Sequence, residues 1–254
     1  MTKAFGGVIA VNDVDIHIQP EGVTALIGPN GAGKTTLFNL ISGAVSPSKG
    51  TVELAGKDIT RLSVAERAKL GMSRTFQTPQ LFASLTVLEN VVVSRSVRLG
   101  SSYLADLLGV PARTRRLRKE YDVAFEVLGR FGVDKFADEY PQNLPYGHQR
   151  RVEIARAVAS EPRVILLDEP LAGLNATESA ELGDLFIQLG RSGTAVVLVE
   201  HDVGTVMRVS DSVYVLENGG LIAYGTPEQV QQNPAVMEAY LGRGFAGVKQ
   251  RSGL

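Results

Sequence analysis

The chain has 254 residues, 26 Lys+Arg against 27 Asp+Glu, a formal charge of −1, 44% hydrophobic residues, 27 Gly and no Cys. That length suits one large domain, or a core domain with a subdomain, and the composition excludes a disordered chain. The charge balance argues against a broad face built to grip nucleic-acid phosphates, and absence of Cys excludes a disulfide scaffold, thiolate catalysis and Cys-based zinc sites.

In chain order, Val14, Ile16 and Ile18 alternate with Asp13, Asp15, His17 and Gln19, which predicts a half-buried strand. Val23 to Ile27 reads as a buried strand ending at Gly28, and Leu37, Leu40 and Ile41 follow at helical spacing. Thr51 to Ala55 is a further strand candidate. Ser63-x-x-Glu66 and Thr86-x-x-Glu89 have capping-box spacing, the first opening a helix over Val64 to Leu70 that stops at Gly71. From about Arg95 to Tyr140 the pattern turns helical. Leu117, Tyr121, Ala124, Phe125 and Leu128 form an amphipathic stripe, headed by the basic run Arg113 to Lys119. That run suits a solvated helix face, or a contact with other subunits or anionic headgroups. A helix over Gly147 to Ser160 leads to a buried strand, Val164 to Asp168. A helix carrying Leu182, Leu185, Phe186 and Leu189 stops at Gly190, before a strand over Ala195 to Glu200. Val213 to Leu216 and Leu221 to Tyr224 make a hairpin through Asn218-Gly219-Gly220, and Thr226-Pro227 and Asn233-Pro234 open short helices. Apolar runs are only strand-length, so no membrane span is expected, and Met1 to Gly7 lacks the apolar core of a signal peptide. Strands alternating with helices imply an α/β fold with a mostly parallel sheet, interrupted by a helical subdomain at about 78–160.

Gly28-Pro29-Asn30-Gly31-Ala32-Gly33-Lys34-Thr35 matches G-x-x-x-x-G-K-[ST]. Glycines let successive N–H groups turn inward on phosphate oxygens, and the helix start adds its positive end. Lys34 would reach the β- and γ-phosphates, Thr35 would offer a hydroxyl to Mg²⁺, and Thr36 completes the helix start. The loop alone leaves a GTPase, a small-molecule kinase and a transport ATPase open.

Val164 to Leu167 ends in Asp168-Glu169. A carboxylate at the tip of a buried parallel strand can hold Mg²⁺ through water, and its neighbour can orient or deprotonate an attacking water. Helix capping is the plainer use of such a pair. With the phosphate loop upstream, Asp168 is the metal candidate and Glu169 the general base.

Five further elements in order resemble the nucleotide-binding subunit of an ABC transporter. They are Phe5 before the loop, Ser73-Arg74-Thr75-Phe76-Gln77, Leu144-Pro145-Tyr146-Gly147-His148-Gln149, Pro170-Leu171-Ala172-Gly173-Leu174-Asn175, and Val199-Glu200-His201-Asp202. The Ser-Arg-Thr-Phe-Gln stretch, Tyr-Gly in the signature, Arg150-Arg151-Val152-Glu153 after it, and the ending Ala239-Tyr240-Leu241-Gly242 are similar to the LivG branch, which serves branched-chain amino acid import. The resemblance covers nearly the whole chain.

It implies one ABC ATPase domain over residues 1–254, a P-loop NTPase core with an N-terminal antiparallel β layer and an inserted helical subdomain. It implies ATP and Mg²⁺ as ligands, adenine stacked on Phe5, and Gln77 at Mg²⁺ or the attacking water. His201 would contact the γ-phosphate. Leu144, Pro145, Tyr146, Gly147 and His148 would act in trans as the signature, beside the D-loop residues Gly173, Leu174 and Asn175. Implied partners are a second ABC ATPase (a like copy or a LivF-like one), integral membrane permease subunits and an extracytoplasmic solute-binding protein, with no nucleic acid; the implied location is the cytoplasmic face of the membrane. Another cargo (a different amino acid, urea or an exported lipid) stays open. A cytosolic ABC ATPase acting on ribosomes or DNA lacks its expected second cassette here. Two departures stand out. Pro145 takes the place of the signature Ser and removes a hydroxyl and an N–H. The chain also begins close to Phe5, so part of the antiparallel layer is expected to be missing, with a sheet edge exposed. His148 is expected as an exposed helix-start residue.

Overall fold

The computed structural model describes residues 1–99 and 111–241. They fall into two compact units, one of Met1–Arg67 with Phe186–Leu254 and one of Ala68–Leu185.

In the first unit, β1 (Lys3–Phe5) pairs antiparallel with β2 (Val8–Val11), and β3 (Val23–Ile27) is buried along its whole length. β1 therefore supplies a short leading strand where part of the layer was expected to be missing, and Thr2 extends it by bridging to Lys49. β3 runs parallel to both β8 (Ala195–Val199) and β9 (Ser212–Glu217), and β10 (Gly220–Gly225) closes that edge antiparallel to β9. Asn218 and Gly219, at φ 48° and 82°, form the two-residue turn between β9 and β10, a conformation suited to the twist of a hairpin. After β3, α1 (Lys34–Ser42) buries Leu37, Phe38, Leu40 and Ile41, each side chain stabilising by about 1.5–3 kcal/mol.

Three expectations need correction here. Residues 13–19 form no strand, because no neighbouring strand pairs with them. Burial still alternates, with Val14 buried and Ile16 and Ile18 half-buried. The segment is instead pinned by Tyr214, whose hydroxyl accepts from His17 N–H and donates to His17 O, both at 2.9 Å. The strand expected over Thr51 to Ala55 shrinks to β4 (Glu53–Leu54), paired with β5 (Lys57–Asp58). Gly190 does not stop its helix: α6 (Ala176–Arg191) runs past it. A Cβ on Gly190 would lie 2.8 Å from the Gly22 Cα, so glycine is required there for close packing and not for helix termination.

The remaining helices of this unit are α7 (Val203–Val209), α8 (Pro227–Gln231) and α9 (Pro234–Leu241). Thr226 and Gln229 complete a capping box at α8, as their spacing predicts. Val230 and Val236 from α8 and α9 join Ala25, Ile27, Val206, Val213, Val215 and Ala223 in one buried cluster.

The second unit contains the parallel pair β6 (Met72–Arg74) and β7 (Val164–Asp168), with β7 wholly buried. Its helices are α3 (Val87–Leu99), α4 (Pro111–Arg130) and α5 (Tyr146–Ala159). The boxes at α2 (Val64–Lys69) and α3 form as predicted, through Ser63 with Glu66 and Thr86 with Glu89. Asn90 is fully buried; its side chain spans Phe82 N–H and O, Leu85 O and Thr86 O, and so fixes the loop before α3. On α4, Ala124 and Leu128 are buried as expected, but Phe125 is 47% exposed. One residue on from Ala124 turns it about 100° off the stripe, and Val127 and Phe131 fill the core in its place. In the basic run, Arg118 and Lys119 are exposed, and the side chains at 113–117 lie outside the described residues. Among the core strands only β9 and β10 pair antiparallel, which gives the mostly parallel α/β arrangement expected.

Candidate functional site

The glycine-rich loop leaves the buried tip of β3 and enters α1. Gly28, Gly31 and Gly33 hold φ of 153°, 83° and 99°. A Cβ on Gly28 would sit 2.2 Å from Leu216 O, and one on Gly33 2.4 Å from Ala10 O, so the turn closes only with glycine at both. Ala32 N–H donates to Pro29 O at 3.2 Å and tightens the bend. Asn30 and Gly31 are exposed at its crest. The first bond within α1 is Leu37 N–H to Gly33 O at 2.9 Å, so the amides of Lys34, Thr35 and Thr36 precede the helical ladder. Lys34 is buried, and its ammonium folds across the loop onto Gly28 O at 2.7 Å and Pro29 O at 3.0 Å. This is a concave set of glycines, first-turn amides and one cation, and it fits a polyphosphate.

The register of β3 on β8 pairs Leu26 with Val199. The loop at Gly28 and the exposed His201 therefore leave the same, carboxyl-terminal end of these two parallel strands. His201 N–H donates to Glu200 Oε2 at 3.2 Å, and Asp202 caps α7 through Gly204 N–H at 3.0 Å. Phe5 is 50% exposed at the end of β1, with Lys3 Nζ over its ring at 4.9 Å from the centroid.

The second unit carries the acids. β6 pairs Arg74 with Leu166 on β7, and Thr75 N–H continues the ladder to Leu166 O at 2.9 Å. Gln77, exposed, thus leaves the edge at which Asp168 and Glu169 end β7. Asp168 is buried beside Arg74, Oδ2 to Nη2 at 3.2 Å. Burial pushes its carboxyl above the usual range, and the Arg74 cation pulls partly the other way. Glu169 adopts φ 47°, a left-handed conformation rare for a side chain of this kind.

Pro145 occupies the N-cap position of α5 at φ −54°, and its carbonyl accepts from His148 and Gln149 N–H at 3.0 and 3.1 Å. Leu144 is buried and Tyr146 is 41% exposed. Gly147 lies so close to α6 that a Cβ would meet Glu178 Oε1 at 2.9 Å and Leu174 at 3.2 Å. Gly173, at φ 79°, likewise faces the Tyr146 ring. The segments at 146–147 and 173–178 are therefore packed on each other, and Asn175 caps α6 through a reciprocal pair of 3.0 Å bonds with Glu178. His148 departs from expectation. It is half-buried, with its ring edge-on to Phe136 at 4.9 Å and its Nδ1 without a hydrogen-bond partner among the described residues. The α5 helix turns it toward Phe136 and away from solvent.

Sequence reasoning gave no role to Arg150, which is fully buried, or to Glu153, its partner at 2.8 Å. Two opposite charges three residues apart on one helix were the available signal. Among the described residues, no three His, Cys, Asp or Glu gather as a metal cage. The hydroxyl of Thr35, in the first unit, and the carboxylate of Asp168, in the second, are each oxygen donors of the kind a hard cation takes.

A buried strand, a glycine-rich phosphate loop and a carboxylate-tipped strand define a P-loop nucleotide hydrolase. The model of the ABC transporter family matches residues 11–172, and the chain belongs to that family as one of its nucleotide-binding ATPase cassettes. A second model, branched-chain amino acid ATP-binding cassette transporter, matches residues 221–246. The chain is 42% identical over 239 residues, 94% of each protein, to the high-affinity branched-chain amino acid transport ATP-binding protein LivG of Escherichia coli. It is 41% identical over 243 residues, 95% of each, to the corresponding BraF of Pseudomonas aeruginosa. Its structure resembles the ADP-bound form of an ATP-binding cassette of an ABC transporter, with a TM-score of 0.80 and 33% identity over 95% of this chain and 96% of that one.

Proposed function

We propose that this chain is the ATP-binding subunit of an importer for branched-chain amino acids, working at the cytoplasmic face of the membrane through permease subunits and a solute-binding protein. The observation that carries the cargo is the match at residues 221–246, because the cassette core serves many cargoes and this segment belongs to a branched-chain model. The full-length likeness to LivG and BraF supports the same reading. No helix among the described residues is long and apolar enough to cross a membrane.

In this reading the loop from Gly28 to Gly33 and the amides of Lys34, Thr35 and Thr36 hold the ATP phosphates, with the Lys34 ammonium moving from its loop carbonyls onto the β- and γ-phosphates. Phe5 stacks on adenine. A magnesium ion would neutralise phosphate charge there, held by Thr35 and Asp168 with Gln77 nearby. Glu169 takes the proton of the water that attacks the γ-phosphorus, as the bond to the ADP oxygen breaks. His201 donates to the γ-phosphate as charge moves onto the leaving oxygen. The signature residues Leu144 to His148 meet ATP held by a second cassette, with the D-loop residues Gly173, Leu174 and Asn175 alongside. A nucleotide held between two chains binds the closed pair more tightly than the open one, and that difference in affinity drives the transport cycle.

The test is uptake of labelled leucine by cells lacking their own branched-chain uptake and supplied with this chain and its cognate permease, partner ATPase and binding protein. Uptake is expected with the intact chain and at background with Lys34→Ala. Leucine uptake at background with the intact chain, while another solute is taken up, would reassign the cargo.

A further inference from the structure

We propose that Arg150 is a positioning residue for hydrolysis, fixing the main chain that carries Glu169 and the loop that carries Gln77 to the signature helix α5. This rests on the reading of Glu169 as the general base.

Arg150 is wholly buried, and four of its five hydrogen bonds end on main-chain carbonyls outside its own helix. Nη2 donates to Asp168 O at 3.1 Å and Glu169 O at 2.6 Å, and Nε donates to Pro170 O at 3.1 Å. Three consecutive carbonyls of the acidic turn are captured by one guanidinium. Nη1 donates to Phe76 O, next to Gln77, and to Glu153 Oε2 at 2.8 Å. Glu153, 1% exposed, accepts in turn from Phe76 N–H at 3.4 Å and Gln80 N–H at 3.2 Å. The buried pair therefore clamps the Gln77 loop from both its N–H and C=O sides.

Backbone conformation explains why such a clamp is needed. Glu169 sits at φ 47°, and a non-glycine residue stays there only where its surroundings over-determine it. Arg150 supplies that constraint through the carbonyls on either side of the Glu169 Cα. A planar fork with five donors can serve several carbonyls in fixed directions, whereas a lysine ammonium offers three donors from one flexible point. An ion pair that served packing alone would need Glu153 and little else. Because α5 begins at Tyr146 in the signature, displacement of the signature is transmitted through Arg150 to the acidic turn within the same unit.

The experiment uses the purified full chain with Mg-ATP and reads kcat, KM and melting temperature. Four proteins are compared: the intact chain, Arg150→Lys, the paired neutral change Arg150→Met with Glu153→Gln, and Glu169→Gln. The paired change avoids leaving one buried charge without the other, so one folded variant remains if lysine alone unfolds the chain. The expected result is a kcat lowered about tenfold to a hundredfold in each folded Arg150 variant, as for a slightly misplaced catalytic group. KM is expected within about twofold of the intact chain, since the phosphate loop is untouched. A purely structural role would lower the melting temperature and leave kcat unchanged well below it. Intact kcat in either folded variant overturns the proposal. Should Glu169→Gln also keep its kcat, the assignment of the base fails and this proposal with it; if only the Arg150 variants keep theirs, the proposal alone fails.

Discussion

The hydroxyl of Tyr240, in the last described turn of α9, is hydrogen-bonded to the main chain of Gly28, the first residue of the phosphate loop. Tyr240 lies within residues 221–246, the segment that matches the branched-chain cassette model, and that segment thus reaches the phosphate loop. Its helix is seated by Val236 in the cluster that also holds Ala25 and Ile27 of β3.

Tyr240→Phe keeps the packing and removes only the hydroxyl. Loss of one such bond is expected to cost about 1 kcal/mol of stability and to weaken ATP binding severalfold by freeing the loop. Calorimetric unfolding and fluorescent-nucleotide titration check both.

Burial pushes the Tyr240 phenol up to about 12 from its ordinary value near 10. Between those values the folded chain keeps the proton that the unfolded chain releases, so unfolding is favoured as pH rises from about 10 to about 12. Tyr240→Phe should make that alkaline loss of stability shallower, and its ultraviolet titration should lack one late-ionising tyrosine. An unchanged alkaline slope would remove the buried Tyr240 phenol from the account.

Lys34→Ala deletes a side chain that crosses the phosphate loop, with its 2.7 and 3.0 Å bonds. Nucleotide binding should be lost while the fold persists, because the glycines and not the lysine set the shape of the turn. Circular dichroism alongside nucleotide titration separates the two effects.

Gly190→Ala forces a methyl against the Gly22 backbone, where a Cβ would lie 2.8 Å from Cα and 2.9 Å from the carbonyl carbon. Overpacking against backbone should destabilise by about 1–3 kcal/mol, and ATP KM should stay constant in what remains folded. Chemical denaturation with activity assays tests this.

Much of this was legible in the sequence for local physical reasons. Ser63 with Glu66, Thr86 with Glu89 and Thr226 with Gln229 announce helix starts through bonds made within four residues. Gly28, Gly31 and Gly33 announce a turn by their spacing alone. What escaped depends on distant neighbours. The alternation of residues 13–19 was visible, but whether a strand pairs with it was not; Tyr214 settles it from almost two hundred residues away. Gly190 resembled a stop because its packing partner, Gly22, lies at the other end of the chain. Arg150 was given no role because its acceptors, at 76 and 168–170, carry their signal in main-chain oxygens that no residue type reveals. Among the site residues, loop and acids were readable from type and spacing, while the burial of His148 against Phe136 was not.

The most direct test measures ATP turnover by the complete transporter in proteoliposomes, with the solute-binding protein loaded with a chosen amino acid. Leucine, isoleucine and valine should raise turnover, lysine and glutamate should not, and Glu169→Gln in this chain should abolish the response. Turnover indifferent to leucine, or responsive to leucine with Glu169→Gln in place, would contradict the account.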